Sequence, residues 1–225
     1  MIPWEHLDSA QMPGSGGELR LMRRGSEYSI MAGATELMNS RLSGSEEALA
    51  TLAWRRLQPR PAPRFLIGGL GMGFTLRAAL AVLPPDAAVP VAELVPAVIA
   101  WARGPLAPVF AGCLDDSRVH IHEGDVSALI GAGAAAPYDA ILLDVDNGPG
   151  GLTRRENDRL YSPAGLARAR AALTPGGLFC VWSSAPDDRF TARLEAAGLE
   201  VEVERVRATR SGKGGRHVIW LARGV

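Results

Sequence analysis

The chain predicts an α/β fold: a Rossmann-like, doubly wound sheet that ends in an antiparallel hairpin, with a small β-hairpin on its N-terminal side. Three features predict it. The stretch from Arg64 to Glu93, RFLIGGLGMGFTLRAALAVLPPDAAVPVAEL, runs apolar strand, glycine-rich turn, helix, apolar strand and acid, the opening of a nucleotide-binding βαβ unit. Beyond it, strand-like and helix-like segments alternate, which implies parallel strands with helices on both faces. Near the C-terminus, LEVEVERVRA and RHVIWLARG flank TRSGKGG, two strand-like runs joined by a flexible connection.

In chain order, residues 1–17 end in PGSGG and read as a loose lead-in. From Glu18 to Ser40, ELRLMRR and EYSIMAG alternate around Gly25-Ser26 and predict a hairpin, with a third short strand near Thr35–Met38. Ser45-Glu46-Glu47 opens a helix rich in Ala and Leu that runs to Leu57. Ser45 is its expected N-cap, and the glutamates suit the positive end of the helix dipole. QPRPAP fits neither helix nor central strand and marks the start of the alternating part. Strands are expected at 64–68, 89–93, 118–122, 139–144 and 177–182, and helices at 73–82, 95–103, 126–131 and 162–173. The expected division is a lead-in and hairpin over residues 1–44 and a nucleoside-binding catalytic domain over residues 45–225.

Composition narrows the partners. The 225 residues are 47% hydrophobic, enough for one sizeable core. Formal net charge is zero with both signs interspersed, so neither nucleic acid nor an anionic membrane is the expected partner. Cys113 and Cys180 stand alone, without metal-ligand or disulfide spacing, and read as buried free thiols; no metal is expected. No apolar run reaches a membrane span and MIPWEHLDSAQ lacks the pattern of a secretion signal, so a cytoplasmic location is expected.

In such sheets ligands bind at the carboxyl ends of the strands, near the switch point. Four strand ends carry suggestive residues. Gly69, Gly71 and Gly73 permit a sharp turn and close approach of a ligand to the backbone. Glu93, at the tip of the next strand, is placed to accept hydrogen bonds from ribose hydroxyls. Alone, this turn also fits an NAD site, or a plain strand-to-helix turn beside a surface glutamate. Asp125 follows the third strand. Its carboxylate can meet an adenine amine while the adjoining backbone, at Val126, meets the ring edge; it also suits a helix N-cap, and the two roles are compatible. The fourth end, YDAILLDVDNGPGG, runs into Asp144, Asp146 and Asn147. A carboxylate there is costly unless paired, and Asp144 is the one the strand itself fixes, suited to orient or deprotonate an amine. Asp146-Asn147-Gly148 reads equally as turn chemistry. The terminal hairpin separates the alternatives, since parallel sheets finished this way are typical of class I S-adenosylmethionine (SAM) enzymes.

The chain resembles the spermidine synthase family, polyamine aminopropyltransferases on the class I methyltransferase fold. The resemblance is carried by GATELMNSRLSGSEEAL, IGGLGMGFTLRAAL, VAELVP, the EGD motif, YDAILLD and RLYSPAGLARARAALTPGGLFCVW, most of the sequence. It implies that Gly69, Gly71, Glu93 and Asp125 contact the nucleoside of decarboxylated SAM or its product, that Asp144 deprotonates the attacking amine, and that Tyr161 lines the acceptor pocket. The chain also departs from the pattern. Asn147 stands where the family has a second aspartate, and the following loop carries Arg154, Arg155 and Arg159, which suit a dicationic polyamine poorly. These arginines read also as a solvated loop face. The N-terminal hairpin is short for the family's extended oligomer contacts, and a homodimer remains open.

The resulting expectation is a SAM-dependent transferase that methylates a small molecule. Asp144 orients or deprotonates the acceptor, Asn147 hydrogen-bonds it, and Tyr161 and Trp182 pack around the sulfonium or acceptor. The alternatives are an aminopropyltransferase using decarboxylated SAM and a catalytically silent nucleoside-binding protein. No Asn/Asp-Pro-Pro-aromatic motif for a flipped base is present, which argues against a nucleic-acid methyltransferase.

Overall fold

The computed structural model describes residues 2–14, 17–57, 59–131, 136–145, 148–149, 158–209 and 214–224. The first surprise is the N-terminus. The expected loose lead-in contains a strand, β1 (Glu5–Gln11), which pairs antiparallel with β2 (Glu18–Arg24); β3 (Glu27–Ala32) and β4 (Thr35–Asn39) follow in a four-stranded meander. The polar run EHLDSAQ has no apolar alternation to announce a strand, because both of its faces are largely solvent-exposed. Two side chains fix it. The indole nitrogen of Trp101 donates to Asp8 Oδ2 at 2.7 Å, and the Arg23 guanidinium meets Glu5 at 2.8 Å.

Helix α1 (Gly44–Arg56) begins one residue earlier than expected. Its N-cap is Ser43, and Ser45 lies fully buried inside the first turn, bonded to other side chains, so it does not cap the helix. The alternating part then follows the expected rhythm: β5 (Phe65–Gly68), α2 (Phe74–Val82), β6 (Val89–Glu93), α3 (Pro96–Arg103), β7 (Val119–Glu123), α5 (Val126–Gly131), β8 (Tyr138–Leu143), α6 (Pro163–Ala171) and β9 (Leu173–Ser183). Two short helices were not foreseen, α4 (Ala107–Phe110) and α7 (Asp188–Ala196). The helix expected over 162–173 stops at Ala171, because Leu173 already pairs with Tyr138 in the sheet. The chain closes with β10 (Leu199–Arg207) and β11 (Arg216–Gly224).

The large sheet has the order β10-β11-β9-β8-β5-β6-β7; β5 to β9 are parallel and β11 runs antiparallel to β9. Strands β5 and β8 are buried at every position, as strands covered on both faces must be. The chain leaves β5 toward β6 and β7 on one side and returns to β8 on the other, so the crevice opens where Gly68 and Leu143 end side by side.

The small sheet does not hang free. Leu21 and Ile30 are fully buried in the same hydrophobic cluster as Leu49, Phe65, Leu76 and Val89. Helix α1 lies across the C-terminal hairpin, with Arg56 paired to Glu202 and Glu204 and its own carbonyl receiving Arg223 at 2.8 Å. Because the core is shared, Ile30→Ala should cost about 2–5 kcal/mol of global stability, and urea unfolding should remain one transition by both fluorescence and circular dichroism. Separate transitions for the two sheets would show that they fold independently.

Candidate active site

The site is built at the carboxyl ends of β5, β6 and β8. The turn after β5 needs its glycines for different reasons. Gly69 has φ +93°, and a Cβ there would run into the Asp144 backbone carbonyl, so this glycine lets β5 and β8 close on one another. Gly73 has φ +75° and its space is taken by the Phe110 ring, making it a packing residue at the start of α2. Gly71 faces the crevice, with Met38 of β4 as its neighbour.

Glu93 ends β6 and is buried. Its two carboxylate oxygens accept from the backbone amides of Leu70 at 3.0 Å and Val95 at 2.9 Å. Burial pushes its pKa up, while these donors and those of Gly71 and Leu94 hold it down. Glu93 therefore braces the glycine turn from below. Asp125 is exposed, accepts the Ser127 amide at 2.8 Å, and lines the same crevice beside Val126. The N-cap role is thus observed, and the carboxylate still reaches the cavity.

Two cavities occupy the crevice. The first is lined by Gly69, Glu93, Asp125 and Val126 below and by Met12, Leu19 and Leu37 from the small sheet above. The second is lined by Asn39, Glu46, Met72, Phe74 and Trp182. They share Leu37, Met38, Gly71 and Asp144, so Asp144 stands at the junction. A glycine cradle, an acid beneath and an apolar roof fit a nucleoside in the first cavity.

Asp144 is a second perturbed acid of the site. Its Oδ2 accepts from the Thr75 hydroxyl at 2.8 Å. Removal from water pushes its pKa up to about 7, the charge of Glu46 adds to the rise, and the Thr75 hydrogen bond opposes it. Glu46 is itself raised by burial, against the hydrogen bond from Ser45. Two acids in one cavity titrate as a pair, each making ionisation of the other less favourable. Sequence reasoning missed Glu46, assigning it to the helix dipole. Nothing in its local pattern distinguishes it from Glu47, because its partner comes from another strand.

Trp182 lines the second cavity. Its ring meets His217 edge-on at 4.9 Å between centroids, and its buried indole nitrogen has no hydrogen-bond partner among the described residues. Tyr161 is placed elsewhere. Its side chain is fully buried and packs edge-on against Phe190 at 5.4 Å, on the face of the sheet that holds α6 and α7, and it is not among the described residues lining either cavity. The register of the RLY segment puts this ring in the core. Asn147, Asp146, Arg154 and Arg155 lie outside the described residues.

A doubly wound sheet with a terminal hairpin and a glycine-rich turn at its switch point defines the class I methyltransferase fold. Solved structures agree. A spermidine synthase from Thermotoga maritima superposes with a TM-score of 0.75 at 17% identity, over 98% of this chain and 73% of that one. An O-methyltransferase from Streptomyces achromogenes, solved with SAM, gives 0.57 at 18% identity, over 80% and 79%.

No protein-family model matches the chain. By sequence its relatives include polyamine aminopropyltransferases and putrescine N-methyltransferases. A polyamine aminopropyltransferase from Mycobacterium tuberculosis is 34% identical over 136 residues, which is 55% of this chain and 24% of the relative. A putrescine N-methyltransferase from Nicotiana tabacum is 33% identical over 122 residues, 54% of this chain and 30% of the relative. The chain thus spans about a quarter to a third of the length of these relatives, which are transferases.

The raised Asp144 has a stability consequence. Its pKa lies near 7 in the folded protein against an ordinary value of 3.8, so the folded state holds the extra proton between about pH 4 and 7. Stability then falls as pH rises through that window. Asp144→Asn, which removes the buried charge, should raise the melting temperature over wild type at pH 8, and the gain should shrink by pH 5. An equal shift at both pH values would mean that Asp144 ionises normally.

Proposed function

We propose that the protein transfers an alkyl group from a sulfonium nucleoside to a small, cationic amine. The observation that carries this reading is the pair of carboxyl groups, Glu46 and Asp144, in a cavity that adjoins the nucleoside cradle. A bound sulfonium nucleoside supplies an electrophilic carbon. The residues of the chain hold the two reactants in line and manage one proton. Glu93 and Asp125 would bind the ribose and adenine ends, and the apolar roof of Met12, Leu19 and Leu37 would exclude water. Asp144, at the junction, would accept the proton of the entering ammonium. Its pKa near 7 suits a base that works at neutral pH. Glu46 would hold the amine by charge, and the free Trp182 indole N–H offers a donor to an acceptor atom of the substrate.

Methyl transfer from SAM is the first reading of the transferred group. It rests on Asn147 and the Arg154-Arg155 loop in the sequence, and on the putrescine N-methyltransferase among the relatives. Aminopropyl transfer from decarboxylated SAM is the second. It is favoured by the charges of the two cavities: among the described lining residues there are four carboxyl groups and no Lys or Arg to meet a donor carboxylate. The acceptor is read as a small molecule, with neither nucleic acid nor membrane as partner; no described helix is long and apolar enough to cross a membrane.

Incubation with SAM or decarboxylated SAM and a panel of amines should release a nucleoside thioether. S-adenosylhomocysteine marks methyl transfer and methylthioadenosine marks aminopropyl transfer. Asp144→Asn should cut turnover at least about a hundredfold while leaving nucleoside affinity within a few-fold; lost nucleoside binding would mean that Asp144 serves the cradle. Glu93→Ala should weaken nucleoside binding by about 1–3 kcal/mol, and an unchanged affinity would contradict its role beneath the ribose.

A further inference from the structure

We propose that Glu46, Ser45 and His217 form a hydrogen-bonded proton exit from the acceptor cavity. The inference rests on the amine reading above. It deepens that reading by assigning a task to His217, a residue of the terminal hairpin that no motif of the nucleoside site includes.

The geometry is continuous. Glu46 lines the cavity with Asp144, its Oε2 lies 2.6 Å from the Ser45 hydroxyl, and the same hydroxyl lies 2.8 Å from His217 Nδ1. Ser45 is fully buried, whereas His217 sits at intermediate exposure beside exposed Gly215 and Arg216. The buried hydroxyl therefore joins a cavity-lining acid to a ring that is also partly exposed. Three elements converge to hold it. The Gly44 amide at the start of α1 donates to the Ala208 carbonyl after β10 at 2.9 Å, β11 pairs His217 with Val206, and Trp182 of β9 packs edge-on against the imidazole.

Alkylation of an amine must dispose of a proton. The acceptor enters as an ammonium and gives one proton to the carboxylates. Its freed lone pair forms the new carbon–nitrogen bond, the carbon–sulfur pair leaves with sulfur and neutralises the sulfonium, and the product leaves as an ammonium again. One proton per transfer is thus left on the two acids and must leave before the next ammonium can give up its own. A hydroxyl carries it outward by accepting on one side and donating on the other. Protonated Glu46 donates to Ser45 Oγ, Ser45 donates to His217 Nδ1, and the imidazolium releases its proton to solvent from Nε2. After release, Nδ1–H faces Ser45, whose own proton faces the ionised Glu46; exchange of the ring proton with solvent to the Nε2–H tautomer and rotation of the Ser45 hydroxyl back to Nδ1 reset the chain for the next transfer. Burial holds the His217 pKa below its usual value, so the ring hands the proton on. The groups facing it are Ser45 and, through it, Glu46 from α1, Trp182 from β9 and Val206 from β10, with Asp144 across the cavity.

Two experiments test the exit. In the free protein, the His217 imidazole is titrated by NMR in wild type and in Glu46→Gln, which keeps a hydrogen-bond acceptor but carries no charge. Removing the linked carboxylate should lower the His217 pKa by about half a unit or more; superimposable titrations overturn the linkage. In turnover, His217→Gln should lower kcat roughly tenfold with KM for the amine unchanged, and added imidazole should restore the rate. An undiminished kcat, or a loss that imidazole leaves in place, overturns the exit. If wild type alkylates no amine at all, the proposed function fails, and the NMR titration still decides the linkage.

Discussion

Two carboxyl groups in one water-poor cavity are the constraint on which the rest of the site depends. Asp144 is set by the end of a central strand and Glu46 by the first turn of α1, and neither can move without moving the core. Burying two negative charges together is costly unless a proton or a cation lies between them. The protein answers with Thr75 on one acid and Ser45 on the other, and with a raised pKa on both. An entering ammonium relieves the same strain. The feature that destabilises the empty site is therefore the one that would recognise the substrate.

The small N-terminal sheet acquires its meaning from that cavity. It supplies Met12, Leu19, Leu37 and Met38 as the roof over the glycine turn, and Asn39 at the wall of the second cavity. A roof raises the strength of every charge interaction beneath it by excluding water. The strand order places the terminal hairpin next to β9 and under α1, which brings His217 within reach of Ser45.

Much of this was legible in the sequence, for physical reasons. Buried parallel strands read as continuous apolar runs, so FLIG and YDAILL announced β5 and β8, and the glycine turn after the first and Asp144 after the second marked the crevice. A glycine spaced for a turn announced Gly69, whose positive φ only glycine adopts readily. Three things were not legible. Strand β1 is polar on both faces and is fixed by Asp8 and Trp101, partners far apart in sequence. Tyr161 was assigned by family resemblance, and its ring turns into the core against Phe190. Glu46, Ser45 and His217 meet only in three dimensions, and each taken alone reads as helix dipole, helix cap and strand polar face.

The central claim is that Asp144, beside Glu46, is partly protonated at neutral pH and that an entering amine displaces that proton. Titration calorimetry of amine binding at pH 7, in buffers of differing ionisation enthalpy, measures it directly. An acid group with a pKa of about 7 is half protonated there, so binding should release about half a proton per amine. Heats of binding that do not vary with the buffer would mean that no proton moves and that the two acids do not form the pair described.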